Sequence, residues 1–337
     1  MNVILTCAGR RNYLLQFFQV ALGNRGKVFA GDVTLEAPTL HEANESILLP
    51  PVNSSEYIDK LIDICQQKQI RLLIPLNDLE LPYLAKQSDR FLAIGTIPVI
   101  SSPVVIDICF DKWATYQFLK KSGIGTPKTY LSLSEAHQAI VRKEIGFPLV
   151  VKPRWGSASI GIAYPENDEE LELSYRFVQK LLRKSILADI SFSDADKCIL
   201  IQERLVGQEY GLDIINNLEG RYAATLVKRK LAMRAGETDR AITVDNEEIE
   251  KLGEQIGKKL GHVGNLDCDV IANESGLHVI EFNPRFGGGY PFSQIAGANL
   301  PAALIAWANG EHPDPNCLRV RANVASSKCD RLVIIAN

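Results

Sequence analysis

Val279-Ile280-Glu281-Phe282-Asn283-Pro284-Arg285 runs an apolar strand into an acid, an amide and an arginine. Glu281 and Asn283 are two apart, so a strand aims both at one face. Leu266 to Ala272 and Leu277 to Asn283 read as a hairpin around Asn273-Glu274-Ser275-Gly276, and Asp267 and Asp269 share a face on the first strand. Oxygen ligands grouped this way suit Mg²⁺, which takes a few protein oxygens and fills its shell with phosphate and water. An acid across the hairpin completes a carboxylate, carboxylate and amide site. A polar sheet face in water carries the same letters. Val279, Ile280 and Phe282 favour a mostly buried strand, where unpaired acids are costly.

Two further segments carry chemistry. Pro148-Leu149-Val150-Val151-Lys152-Pro153 puts a lysine at the mouth of an apolar strand. Arg154-Trp155-Gly156-Ser157-Ala158-Ser159-Ile160-Gly161 follows it. Small residues let backbone N–H groups approach phosphate oxygens, and lysine adds a point charge; a plain loop after a strand looks similar. Ile201-Gln202-Glu203-Arg204-Leu205-Val206-Gly207-Gln208-Glu209-Tyr210 is a strand turning at Gly207 into another. It offers backbone groups to a planar base and acids to an amino group or ribose hydroxyls, or it is an ordinary linker.

Around these, residues 2–100 alternate strand and helix patterns, which predicts a small parallel α/β domain. Its strand-end loops, Gly9-Arg10-Arg11 and Asn77-Asp78, should face a ligand crevice. Asp32 stands where a ribose-binding acid would be, but without G-x-G-x-x-G it reads as a turn residue. Asp111 to Ser122 and Glu247 to Leu260 read as helices. The latter is closed by Gly261. Tyr210 to Ile215 and Tyr222 to Leu231 read as a hairpin, Leu79 to Ser88 as a helix, and Arg331 to Ala336 as a strand returning to the sheet. Walker A and G-x-S-x-G are absent, and the five histidines lack metal spacing.

The composition excludes other classes. With 337 residues, 46% hydrophobic and 23% charged, the chain is a globular protein of about two domains. A formal net charge of -3 gives no global pull toward nucleic acid or an anionic membrane. No apolar run approaches the roughly 20 residues of a membrane helix. Seven scattered cysteines without C-x-x-C predict free thiols in a cytoplasmic protein.

In this order the motifs resemble the ATP-grasp superfamily of carboxylate–amine ligases, nearest to one synthetase half of the carbamoyl phosphate synthetase large chain. The likeness rests on Asp111-Lys112 before a helix, Pro148 to Pro153 before a small-residue loop, and Glu281 to Arg285. It implies an α/β plus α+β architecture. A Rossmann-like pre-ATP-grasp domain (1–110) precedes a two-lobed ATP-grasp domain (111–312), with a smaller lobe at about 126–203 and a flap at 154–161. A tail (313–337) packs on the sheet.

The resemblance also implies roles. Lys112, Lys152, Ser157, Ser159 and Gly161 would contact phosphates. Glu203 with the backbone of Arg204, Leu205 and Val206 would bind adenine, and Glu209 the ribose. Asp269, Glu281 and Asn283 would hold Mg²⁺ or Mn²⁺, with Asp267 as the other candidate for the first ligand. Arg285, Arg240 and Lys152 would stabilise the transferred phosphoryl group. Arg240 belongs to a basic segment with Lys228, Arg229, Lys230 and Arg234 that reads equally as a solvated strand and loop. Phe286-Gly287-Gly288-Gly289-Tyr290 is expected to border the substrate.

The implied reaction is ATP-dependent activation of a small carboxylate as an acyl phosphate, followed by attack of an amine. Small-molecule carboxylate and amine substrates are the expected partners, with no nucleic acid and no membrane. The family's frequent dimers imply a homodimer, which the residues themselves leave open. The alternatives are an enzyme whose end product is carbamoyl phosphate or another acyl phosphate, and a nucleotide-binding regulatory protein without turnover.

Overall fold

The computed structural model describes residues 1–156, 161–185 and 197–335. The N-terminal part is a parallel sheet of β1 (Asn2–Thr6), β2 (Val28–Asp32), β3 (Glu45–Leu48), β4 (Ile70–Pro75) and β5 (Ile97–Pro98), in the order β3-β2-β1-β4-β5. Apolar β1 and β4 lie at its centre, where residues such as Ile4, Leu5, Leu72 and Leu73 are shielded on both faces. On one face Leu14, Leu15 and Phe18 of α1 (Asn12–Leu22) cover it. On the other, Leu61, Ile64 and Cys65 of α2 (Tyr57–Gln67) do so. The strand order reverses between β1 and β4. The loops after those two strands, residues 7–11 and 76–80, therefore face a crevice.

Both loops are held by buried acids. Asp32 accepts hydrogen bonds from Gly9 N and Val33 N, each at 2.8 Å, so it is the turn residue its context suggested. Glu80 accepts from Leu76 N (2.9 Å), Asn77 N (3.1 Å) and Tyr57 OH (2.8 Å). Burial pushes its carboxyl above the ordinary range.

Residues 129–203 contain a small antiparallel sheet of β6 (Thr129–Tyr130), β7 (Leu149–Pro153) and β8 (Ile199–Glu203), in the order β6-β8-β7. Ala136 and Ala139 of α7 (Leu133–Val141) and Leu171, Val178 and Leu182 of α8 (Asp168–Leu182) pack on Val151, Ile199 and Ile201. Ser132 caps α7 and Asn167 caps α8, each accepting from a backbone N–H of the first turn.

The larger sheet is antiparallel, in the order β13-β12-β9-β10-β11-β14, with β9 (Gln208–Asn216), β10 (Tyr222–Arg234), β11 (Glu237–Thr243), β12 (Gly264–Asn273), β13 (Gly276–Asn283) and β14 (Ala325–Ser327). Alternation divides its residues. Leu212, Ile214, Val227, Leu266, Cys268, Val270, Val279 and Phe282 form the apolar face. They pack on α5 (Pro103–Phe110), α6 (Lys112–Lys121) and α9 (Glu247–Leu260) through Val105, Leu119, Ile249, Ile256 and Leu260. Glu209, Asp213, Lys228, Lys230, Asp267, Asp269, Glu281 and Asn283 occupy alternate positions and face the other way. The last helix, α11 (Leu300–Ala308), following α10 (Tyr290–Ile295), returns to pack on α1.

Four readings change. Leu79 to Ser88 is not one helix but α3 (Leu81–Lys86) and the start of α4 (Ser88–Ala93). Pro103 opens α5, a helix the sequence pattern did not signal separately. The basic segment after Lys228 is a full hairpin, turned by Ala235 and Gly236 in left-handed conformations. The C-terminal strand is Ala325–Ser327, paired with β11. Residues 331–335 have no regular structure and Ala336 lies outside the described residues.

His262, just past the left-handed Gly261 that closes α9, is fully buried. Its Nε2 donates to the Ile214 carbonyl at 2.9 Å, and Nδ1 has no partner. Burial pulls its pKa down to about 4. The folded state therefore holds it neutral where the unfolded chain, with a pKa near 6.5, takes up a proton. Its contribution is complete above about pH 6.5 and is lost as pH falls toward 4, amounting to about 3 kcal/mol. Urea unfolding at pH 7 and pH 4.5 should show this loss in the wild type and a flatter dependence in His262→Leu. Equal slopes would refute it.

Candidate active site

Between the two antiparallel sheets lies a cleft of about 530 Å³. Lys152 enters it from the end of β7. Its ammonium donates to Gln202 Oε1 at 2.8 Å, and Gln202 Nε2 donates to Thr129 Oγ1 at 2.8 Å, so three strands fix one side chain. Burial, then the charge of Lys112, pull Lys152 down to about 8, against the opposing pull of Glu281. Lys112, at the start of α6, donates to the Gly156 carbonyl. Asp111 caps that helix by accepting from Trp113 N at 2.9 Å. It also takes two bonds, 2.8 and 2.7 Å, from Arg154. The entry to the small-residue loop is thereby tied to the helix bearing Lys112.

Glu203, Arg204, Leu205, Val206 and Glu209 line the opposite wall. Glu203 accepts from Lys128 N at 3.2 Å. The Arg204 guanidinium lies 5.1 Å from the ring centre of Tyr164. Trp155, also in the wall, is nearly buried in the smaller sheet's core, with Arg154 stacked over it at 4.4 Å. Gly161 lies outside this lining and packs against Pro153. Ser157 and Ser159 lie outside the described residues.

A second, strongly polar cleft of about 240 Å³ adjoins the first. Arg11, Asn77 and Asp78 reach it from the crevice of the parallel sheet, Glu237 from β11, and Arg285, Gly288 and Gly289 from the segment after β13. Lys230, Met233, Gly236, Asp269 and Glu281 border both clefts. Asp267 and Asn283 border only the second.

The hairpin register explains the meeting point. Asp269 stands opposite Glu281, and Asp267 opposite Asn283, so all four project from one face. Each aspartate has its own cation. Asp269 lies 2.7 Å from Lys230, and Asp267 lies 3.3 Å from Arg285, which also binds Asp78 at 2.8 Å. Burial, then the charge of Asp269, push the Asp267 carboxyl up, with Arg285 opposing. Glu281 is held below the ordinary carboxylate range. Burial works against this, but Lys112, Lys152 and Lys230 together prevail.

The glycine run is shaped by these side chains. A Cβ on Gly287 would sit 2.1 Å from Asp267 Cγ, and one on Gly289 would sit 2.8 Å from Lys228 Cε. Beneath it, Lys228 binds Asp213 at 2.5 Å, Ser293 donates to the same oxygen at 2.5 Å, and Asn265 donates to the other at 3.2 Å.

Arg240 is not brought to this site. It is exposed on β11, in register with Ala232 and Ser327, and lines neither cleft. Ala241 stands opposite Lys230 and shares its face, so the preceding residue, Arg240, is turned to the other side of the sheet. Lys230 takes the central place instead. It stood in the same basic segment, but nothing local marked it out from its neighbours.

Among the described residues, no group of three His, Cys, Asp or Glu forms a metal cage by itself. The donor set nonetheless fits Mg²⁺. Asp269, Glu281 and Asn283 offer only hard oxygens on one face, and this ion is held by one or two carboxylates with phosphate and water completing the shell.

The family model described as ATP-grasp domain matches residues 109–289. The chain belongs to the ATP-grasp family. A second model, described as PylC-like, N-terminal domain, matches residues 3–100. Over 217 residues the chain is 26% identical to the carbamoyl phosphate synthase large chain of Helicobacter pylori, covering 62% of this chain and 19% of that one. It thus spans about a fifth of that relative's length. Among solved structures it is similar to the biotin carboxylase domain of 2-oxoglutarate carboxylase from Hydrogenobacter thermophilus, in complex with MgADP, ADP and bicarbonate. There the TM-score is 0.72 at 17% identity, over 96% of this chain and 73% of that one. It is also similar to the L-amino acid ligase of Bacillus licheniformis, with a TM-score of 0.66 at 18% identity, over 95% and 77% of the two chains. These structures share the ATP-grasp fold. Among the described residues no helix is long and apolar enough to cross a membrane.

Proposed function

We propose that this ATP-grasp chain is an ATP- and Mg²⁺-dependent ligase that activates a small carboxylate as an acyl phosphate and joins it to an amine. The observation that carries this reading is the junction of two clefts at Asp269 and Glu281. The larger has room and chemistry for a nucleotide, with lysines at one end and Glu203 to Val206 at the other. The smaller has polar walls for the carboxylate. The reading keeps 1–110 as the α/β part, 111–312 as the ATP-grasp part with its smaller lobe at 126–203, and 313–337 as the tail.

Lys112 and Lys152 bind phosphate oxygens, Glu203 the adenine amino group, and Glu209 the ribose. Asp269, Glu281 and Asn283 hold the metal, which when bound neutralises phosphate charge. Asp269 is preferred over Asp267 because it borders both clefts, while Asp267 borders only the second. A carboxylate oxygen attacks the γ-phosphorus and ADP departs. The amine nitrogen then attacks the acyl carbon, loses its proton, and phosphate leaves. The protein contributes positioning and positive charge around the transferred phosphoryl group, where Arg285 borders the second cleft.

The test combines binding and turnover. Thermal unfolding with MgATP at about 100 times its dissociation constant should show about 2.7 kcal/mol of stabilisation, a shift of several degrees. Phosphate release, screened over a panel of carboxylates and amines, should require one of each. Tight nucleotide binding without release for any pair would favour a nucleotide-binding protein without turnover.

A further inference from the structure

The ligase reading places a divalent cation at Asp269 and Glu281, and a role for Lys230 depends on that placement. In the structure the position has a positive charge. Lys230 Nζ is 2.7 Å from Asp269 Oδ1, and its side chain is only 7% exposed. The two residues are not on neighbouring strands: Lys230 is on β10, Asp269 on β12, and β9 runs between them. The register puts Gly211 of β9 opposite Asp269 on one side and Lys228 on the other. Gly211 has no side chain there. A Cβ at this point would touch the Cε atoms of both Lys228 and Lys230 at 3.5 Å. The stems of the two lysines fill the gap, so Lys230 crosses β9 to reach its aspartate.

The other cations on this face serve different acids. Lys228 is buried against Asp213, and Arg285 binds Asp78 and Asp267. Lys230 alone among these three borders both clefts. It also has a second carboxylate within reach, Glu209 at 3.9 Å, in the wall of the larger cleft.

We propose that Lys230 is a built-in placeholder for the metal. It neutralises Asp269 until nucleotide phosphates offer its ammonium a new partner, so the protein takes up a divalent cation together with nucleotide rather than before it. A cation arriving alone must displace a buried ammonium that, among the described residues, has only Glu209 as another carboxylate within 4 Å, with Asp267 and Glu281 acting on it from farther away. A cation arriving with phosphates finds the ammonium drawn toward them and Asp269 released. By linkage, nucleotide and metal raise each other's affinity by the same factor.

The probe is Mn²⁺, titrated into the full chain with and without ADP and followed by its paramagnetic resonance signal. Wild type should bind Mn²⁺ alone weakly and more tightly with ADP. Lys230→Gln and Lys230→Met should each bind Mn²⁺ alone about 5-fold or more tightly than wild type, with a smaller effect of ADP. Lys230→Arg, which keeps the charge, should stay weak without ADP. Unchanged or weaker Mn²⁺ binding in a folded neutral variant would overturn the proposal, as would a gain in Lys230→Arg. If wild type binds Mn²⁺ with ADP but the neutral variants gain nothing without it, only the placeholder role falls. If wild type binds neither, the ligase reading falls and takes the placeholder with it.

Discussion

Glu281→Gln lowers nucleotide-dependent phosphate release by about 10³-fold at saturating Mg²⁺, nucleotide and the substrate pair found by screening. The substitution keeps the shape of the side chain and removes its charge. Glu281 borders both clefts and is kept ionised by three lysines despite its burial. Without it, the proposed metal site retains only one carboxylate, Asp269, which the structure shows paired to Lys230. Charge developing on the phosphoryl oxygens then loses its main counterweight, and about 4 kcal/mol of barrier returns. Stability should change by no more than about 1 kcal/mol, because no buried cation depends on this residue alone. Turnover within 10-fold of wild type, with the same Mg²⁺ requirement, would remove Glu281 from the metal site.

The second large effect is on folding. Asp213→Ala should cost about 3–5 kcal/mol, seen as a drop in Tm of about 5–10 °C. Asp213 and Lys228 are both essentially inaccessible to solvent. Removing the acid leaves an ammonium buried beneath the glycine run without its paired carboxylate, takes away the acceptor of Ser293, and leaves Asn265 only its bond to the Arg285 carbonyl. The double variant Asp213→Leu with Lys228→Met should recover at least half of the loss, since a buried pair replaced by apolar groups is often neutral. A single variant that unfolds within 1 kcal/mol of wild type would show that the pair is solvated.

Much of this site is visible in the amino-acid order. A period of two places Asp267 with Asp269, and Glu281 with Asn283, each pair on one face of its strand. The apolar run before Lys152 reads as a strand delivering that lysine to an edge, and Gly207 as a turn between two strands. Those features depend on residues close together in the chain. The two likenesses to family models fall on the same segments.

Pairings across strands are another matter. Which cation meets which acid depends on register between β9, β10 and β12, elements up to about sixty residues apart, and no local pattern encodes it. Lys228, Lys230, Arg234 and Arg240 look alike as letters in one basic segment. The fold buries the first against Asp213, sends the second over Gly211 to Asp269, joins the third to Asp330, and leaves the fourth in solvent. Local alternation determined the oxygen donors and the face each pair shares on its own strand. Only the packing of three strands, one of them notched by a glycine, decided which lysine stands beside Asp269.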